Sequence, residues 1–253
     1  MIGAMDSDAT PMILAENDPV AVELLLAIRG GDVAGVERLL AQHPGLERAR
    51  VTGRKGGWRT PLHMVTDWPG FFPNGPEIVR LLIAAGADPN SHGDEPRSET
   101  PLHWAASSDD VEVAEALVDA GANIHGPKGS IGTPLANAVG YGCWQVARLL
   151  VARGARIEEL WHAAALGERG RLEELLAADP APTKDAIDSA FWHACRAGHV
   201  RIAATLLDHG ADINFPLEEG GGQTPIQAVE GTDTRHEAML SWLRDHGAAE
   251  PSQ

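Results

Sequence analysis

The hydrophobic and polar positions of this chain recur with a period of about 33 residues. Each period holds a short apolar stretch rich in small residues, a glycine, a second stretch with paired apolar residues at helical spacing, and a closing Gly-Ala. The pattern predicts two helices per period. Because such a unit buries its apolar face only against its neighbours, the pattern predicts an all-α repeat solenoid rather than one globule.

Several periods open with the same short motif. Thr-Pro-Leu-His occurs at 60–63 and again at 100–103, and degenerate copies begin at Thr133 and Thr224. A threonine at this place can cap free backbone N–H groups, and proline fits the first helical position, where its missing donor costs nothing. Each motif therefore predicts the start of a first helix.

When the chain is aligned on this motif, about seven helix-turn-helix repeats cover residues 18–250. Residues 1–17 are predicted to be a flexible tail. The predicted repeats span residues 18–51, 52–91, 92–124, 125–157, 158–184, 185–216 and 217–250.

The second repeat is too long. The distance from Thr60 to Gly86 exceeds that from Thr100 to Gly121 by five residues. The extra residues fall within 67–76, where three prolines preclude a continuous helix. We therefore expect a loop between the two helices, and its aromatic side chains (Trp68, Phe71 and Phe72) are costly to expose unless something covers them.

The connection between the fourth and fifth repeats is too short. Between Gly154 and Leu160 it lacks about eight residues of the hairpin, here called the finger, that usually joins consecutive repeats. This predicts a break in the finger row, with four repeats before it and three after it.

The motifs, the Gly-Ala-Asp closures and the period resemble the ankyrin-repeat family over most of the chain. The resemblance implies paired helices with β-hairpin fingers, and binding of other proteins through the fingers and the concave face of the first helices. It supplies no catalytic motif and no cofactor. The stretches at 162–167 and 191–195 are similar to bacterial, actinobacterial-type members. By resemblance, the groove is lined by Arg59, Asp67, Trp68, Glu99, Ser107, Ser108, Gly140, Tyr141, Leu166, Arg196 and Ala197.

The chain has seven tryptophans but only one tyrosine and four phenylalanines. Stacked repeats are expected to bring Trp58, Trp68 and Trp104 together, with Phe71 and Phe72 folding over them. Such a cluster is either an interface hot spot or ligand pocket, or a local core that binds nothing. The predicted binding residues are Trp58, Arg59, Asp67, Trp68, Phe71, Phe72, Glu99, Trp104, Ser107, Ser108 and Tyr141.

The histidines call for different interpretations. His63 and His103 lie within the repeat motif, where an imidazole is expected to bond the threonine hydroxyl and brace the neighbouring repeat. His162 and His193 fall one position later in their repeats than His63 and His103 do, so their side chains are expected to point towards the concave groove. Cys195 aligns with a buried small residue and is predicted to be an inert core thiol. No spacing typical of a metal site is present.

The formal net charge of −16 argues against general binding to nucleic acid or to an anionic membrane. The charge either serves solubility alone or favours a partner with a basic segment. Two cysteines give no disulfide framework, and no classical export signal or membrane-spanning run is seen, so the expectation is a cytoplasmic monomer. Abundant Ala and an excess of Arg over Lys suggest a bacterial source.

The leading hypothesis is a non-enzymatic protein-binding module or scaffold that uses the concave groove and the aromatic loop. The alternative is a groove that binds a small molecule and transforms it by acid/base chemistry, with Asp67, His162 and His193 as candidates. A third hypothesis is a secreted effector that binds host proteins.

Overall fold

The computed structural model describes residues 11–53, 56–93, 99–229, 231 and 233–250. The chain divides into two compact bodies, the N-terminal body Met1–Ala155 and the C-terminal body Arg156–Gln253. The division falls at the connection that lacks a finger in the sequence.

Helical hairpins build the N-terminal body, and each consists of a first helix and a second helix joined by a turn. These helices are α1 (Pro19–Gly30), α2 (Val33–Gln42), α3 (Pro61–Val65), α4 (Gly75–Ala85), α5 (Pro101–Ser108), α6 (Val111–Asp119), α7 (Pro134–Tyr141) and α8 (Trp144–Ala152). The 3-10 helix Leu46–Arg48 follows α2. The all-α repeat fold predicted from the sequence is confirmed.

The expected capping of the first helices is present. Thr100 begins α5, with its hydroxyl 2.9 Å from Nδ1 of His103, and Thr60 begins α3 in the same way. Small buried residues such as Ala105 and Ala106 then let neighbouring first helices pack closely. The sequence motif thus sets both the start of the helix and the spacing of the repeats.

The first finger is a true hairpin and it gains a third strand. Strands β2 (Arg50–Thr52) and β3 (Trp58–Arg59) are antiparallel, and β1 (Ile13–Ala15) pairs with β2 in parallel. The prediction of a flexible tail over 1–17 is therefore wrong for residues 13–15, and residues 1–10 lie outside the described residues. The cause is the free edge of β2, whose backbone groups need partners; for example, the Glu16 amide donates to the carbonyl of Thr52 at 2.9 Å.

The C-terminal body contains three more helical hairpins. Its helices are α9 (Leu160–Leu166), α10 (Arg169–Leu176), α11 (Lys184–Arg196), α12 (Val200–Asp208), α13 (Pro225–Ala228) and α14 (Thr234–Asp245). Their core surrounds the fully buried Phe191.

Helix α11 is long, with 13 residues, and its first turns stand where a finger is expected. Asp188 is buried within these first turns of α11. Its carboxylate pairs with the ammonium of Lys184 and accepts a 2.7 Å hydrogen bond from the Asp212 amide. Satisfying this carboxylate fixes the helical extension.

Candidate functional site

Two buried histidines brace neighbouring repeats, as the sequence predicts. Nε2 of His63 lies 3.1 Å from the carbonyl oxygen of Glu99, and Nε2 of His103 lies 3.2 Å from that of Gly132. In both cases the acceptor residue directly precedes the capping threonine of the next repeat. These histidines therefore hold the structure together and are not available for chemistry.

Trp192 performs the same function in the C-terminal body, which the sequence analysis missed. Its indole Nε1–H donates to the carbonyl oxygen of Gln223 at 2.8 Å, and Gln223 directly precedes Thr224. Trp192 occupies the repeat position of His103. Trp161 occupies this position one repeat earlier, but within the described residues its indole N–H has no acceptor.

Replacing Trp192 with Phe should lower the free energy of unfolding by about 1–2 kcal/mol, because the brace is lost and a small void is left. Urea denaturation followed by circular dichroism measures the effect. Trp161→Phe is the matched control, since the same atoms are removed where no brace exists. Equal losses in the two variants would contradict the assignment of Trp192 as a brace.

The inserted loop runs from Thr66 to Asn74 and is anchored to both neighbouring repeats. The carboxylate of Asp67 accepts hydrogen bonds from Arg59 at 2.7 Å and from Arg29 at 3.2 Å. The amide of Asn74 donates to the carbonyl of Gly31 at 2.9 Å. The loop therefore has a defined conformation.

The middle of the loop is held by Asp110, the N-cap residue of α6. Its buried carboxylate accepts a 2.7 Å hydrogen bond from the Phe71 backbone amide. Phe71 has a φ of 55°, in the left-handed region that a bulky residue adopts only with strain. The surrounding contacts thus hold this phenylalanine in a costly conformation.

The loop aromatics face outward. Trp68 is 79% exposed and Phe71 is 62% exposed, while Phe72 lies beneath the guanidinium of Arg29, 5.8 Å from it. The expectation that they fold over Trp58 and Trp104 is wrong. The physical reason is the anchoring through Asp110, whose carboxylate holds the Phe71 amide at the start of α6.

Trp58 and Trp104 do share a site, which we call the finger groove. It is a cavity of about 430 Å³ between the first and second fingers, and the loop aromatics do not line it. Its walls include Trp58, Arg59, Glu99 and Trp104, together with glycines of the two fingers. The structure thus brings four of the predicted binding residues together and leaves Trp68, Phe71 and Phe72 outside.

Contacts behind each wall of the finger groove fix both indoles. The guanidinium of Arg50 lies 4.3 Å from the ring centre of Trp58, and His63 meets the ring of Trp104 edge-on at 5.0 Å. Glu99 is held by the backbone amide and the hydroxyl of Ser130. Burial alone would raise the pKa of Glu99, but these hydrogen bonds keep it below its usual value, so this carboxyl is ionised at neutral pH.

The other predicted groove residues differ in their availability. The hydroxyls of Ser107 and Ser108 donate back to carbonyls one turn earlier in α5, each at 2.9 Å. Tyr141 is exposed at the end of α7. Ser108 and Tyr141 each end their helix eight residues after the threonine that begins the repeat, whereas Trp68, at the same spacing, lies in the inserted loop. Gly140 is partly exposed beside Tyr141, whereas Leu166, Arg196 and Ala197 belong to the C-terminal body.

His162 and His193 are buried, so the expectation that they lean towards the groove is wrong. Trp161 packs on both, with ring centres 4.1 Å and 4.8 Å away, and covers them. Burial lowers the pKa of each imidazole to about 4, and both are neutral at pH 7. Neither ring nitrogen of His162 has a hydrogen-bond partner among the described residues.

Cys195 is fully buried, and burial raises its pKa, as expected for an inert thiol. Across the described residues, no group of three or more His, Cys, Asp or Glu side chains is arranged to hold a metal ion. The helices in the described part of the chain are all too short or too polar to cross a membrane.

Helical hairpins braced at their fingers, with neighbouring helix pairs packed together within each body, define a repeat protein built of helix-turn-helix units. The model for ankyrin repeats (3 copies) matches residues 15–125 and 70–159, and that for a single ankyrin repeat matches residues 188–216. The chain belongs to the ankyrin-repeat family. Ankyrin-repeat domains generally mediate contacts between proteins.

Similar curated proteins include human SH3 and multiple ankyrin repeat domains protein 2, with 32% identity over 65% of this chain and 10% of that protein. Mouse B-cell lymphoma 3 protein homolog is 26% identical over 78% of this chain and 38% of its own length. Human ankyrin repeat and SOCS box protein 16 is 29% identical over 82% and 49%. The chain therefore spans between a tenth and a half of the length of these relatives.

Among solved structures, the ankyrin repeat domain of Bcl-3 is similar, with a TM-score of 0.47 and 24% sequence identity. The similarity covers 88% of this chain and 97% of that one.

Proposed function

We propose that this chain is a non-enzymatic protein-recognition module whose partner docks on the inserted loop and the concave side of the N-terminal body. The observation that carries the proposal is the exposure of Trp68 and Phe71 on an anchored loop. Exposed aromatic side chains of this size are costly in water, and they are the residues that dominate binding energy at protein interfaces.

The anchoring of the loop supports binding rather than chance exposure. Ordering a flexible segment on binding reduces affinity, and contacts from Arg29, Arg59 and Asp110 have already ordered this one. Ser108 at the end of α5 lies against Gly70 of the loop, and Tyr141 is exposed at the end of α7, so the contact surface can extend beyond the loop.

The charges at the inserted loop and the neighbouring turns support a partner with a basic segment. The turns that join the first and second helices of the N-terminal body, together with the helical turn on each side of them, carry six carboxylates and one arginine. They are Asp32, Asp67, Glu77, Asp109, Asp110 and Glu112, and the arginine is Arg29. Asp67 and Asp110 already hold the loop, and the other four are exposed or partly exposed. Lysine and arginine side chains can pair with such carboxylates and pack on aromatic faces.

The remaining features of the proposal come from the sequence: a monomer in a bacterial cytoplasm, with no cofactor and with neither nucleic acid nor membrane as its target. The formal charge of −16 supports the exclusion of phosphate-rich partners.

Replacing Trp68 with Ala should weaken partner binding about 10- to 100-fold without a change in stability, because this side chain is exposed before binding. The partner is isolated by affinity capture with the full chain, and its dissociation constant is then measured by calorimetry. Ile13→Ala is the matched control, because Ile13 is also a largely exposed apolar side chain and lies on β1. Unchanged affinity of the Trp68 variant would refute the loop as the interface.

A second candidate function is the binding of a small molecule in the finger groove. The cavity of about 430 Å³ between Trp58 and Trp104 favours it. Acid/base chemistry there has little support, because Asp67 is held by two arginines and His162 and His193 are buried in the other body. A metabolite mixture screened by saturation-transfer NMR against the full chain tests this candidate; loss of a signal in Trp104→Ala would support it.

A further inference from the structure

We infer that the finger groove is a subsite for the cationic side chain of an arginine or lysine contributed by the partner. The inference rests on the proposed function and names the chemistry of one contact within it. Two aromatic walls and the carboxylates among the described lining residues carry it.

The walls are two indoles held from behind. Trp58 and Trp104 both line the groove and both are partly exposed, so each presents ring surface to the cavity. Tryptophan offers the most favourable aromatic face for a cation. Because His63 packs edge-on against Trp104, the second wall keeps its orientation without a ligand.

The protein itself shows that one wall accepts a guanidinium. Trp58 separates the finger groove from a second cavity of about 390 Å³, and Arg50 lines that second cavity only. The guanidinium of Arg50 lies 4.3 Å from the ring centre of Trp58 on that side. Among the described residues, Arg50 is the cation that stacks on Trp58, and no other one stacks on the side of the ring that faces the finger groove.

The charge of the lining residues selects a cation over an anion. Among the described residues, Glu16, Arg59 and Glu99 are the charged groups that line the groove. Arg59 is bound to the carboxylate of Asp67 at 2.7 Å, which offsets its charge. Glu99 then supplies a carboxylate among the lining residues, oriented by Ser130 of the next finger, and a guanidinium or ammonium group between the indoles would pair with it.

The experiment titrates the full-length 15N-labelled chain with N-acetyl-arginine amide and follows the indole N–H resonances. Saturable shifts confined to Trp58 and Trp104 are expected, with a dissociation constant on the order of 1–10 mM. N-acetyl-citrulline amide has the same shape without the charge and should leave both resonances in place. Glu99→Gln keeps an oxygen for Ser130 and should weaken arginine binding about tenfold, whereas Glu115→Gln on α6 should not change it.

No saturable shift with the arginine probe, or equal shifts with citrulline, would overturn the inference. A third probe, tetramethylammonium, distinguishes the two sources of a cation. Binding of tetramethylammonium without the arginine probe would assign the groove to a small quaternary cation and would also overturn the inference. None of these results depends on Trp68, so failure here is distinguishable from failure of the proposed function.

Discussion

Lowering the pH from about 7.5 to about 5 is expected to remove several kcal/mol from the free energy of unfolding, because four buried histidines are neutral in the folded chain. Burial lowers the pKa of His63, His162 and His193 to about 4, and it also lowers the pKa of His103. In the unfolded chain each imidazole returns to its ordinary pKa of 6.5.

The direction of the effect follows from which state binds protons. Above pH 6.5 both states are neutral, and the full stability is present. Between pH 6.5 and pH 4 the unfolded chain takes up protons that the folded chain does not, so stability falls as the pH falls. At pH 5 each histidine with a folded pKa of about 4 contributes a loss of about 2 kcal/mol.

Urea denaturation at the two pH values measures this loss. His63→Gln is the informative variant, since the last repeat already uses glutamine in place of this histidine. There, the Thr224 amide donates to Oε1 of Gln227 at 2.9 Å, as the Thr60 amide does to His63. The variant should be less stable at pH 7.5 because the brace to Glu99 is lost, but it should lose less on acidification. Equal acid sensitivity in variant and wild type would contradict the role of His63.

The sequence was sufficient for the features that depend on local spacing. The motifs at Thr60 and Thr100 place the helix starts and the histidine braces, and three prolines place the inserted loop between α3 and α4. Each of these depends on residues a few positions apart along the chain, so the periodic pattern is enough to specify them.

The features that the sequence did not reveal depend on distant partners. Phe71 turns outward because its backbone amide meets Asp110, 39 residues away, and no periodicity encodes that contact. Trp192 replaces a histidine brace with a different side chain, and the equivalence is visible only once its indole is seen to reach Gln223. Strand β1 forms for the same kind of reason, since its partner is the free edge of β2.

Replacing Asp110 with Ala is expected to lower the free energy of unfolding by about 2–4 kcal/mol and to weaken partner binding as strongly as Trp68→Ala does. The buried carboxylate serves two amides. Oδ1 accepts from Val113 at 3.3 Å and caps α6, and Oδ2 accepts from Phe71 at 2.7 Å and holds the loop. Alanine leaves both donors without a partner.

Two variants separate the cap from the anchor. Asp32 caps α2 by the same bond, 2.9 Å from the Gly35 amide, but holds no loop, so Asp32→Ala should cost only about 1 kcal/mol and weaken partner binding far less than Asp110→Ala does. Asp110→Asn retains one oxygen, which is enough for the cap but not for both amides. Because Phe71 is strained, the loop should then relax, so this variant should keep most of the stability yet bind the partner as weakly as Asp110→Ala. If Asp110→Asn binds like the wild type, the recognition surface does not require the conformation that Asp110 imposes.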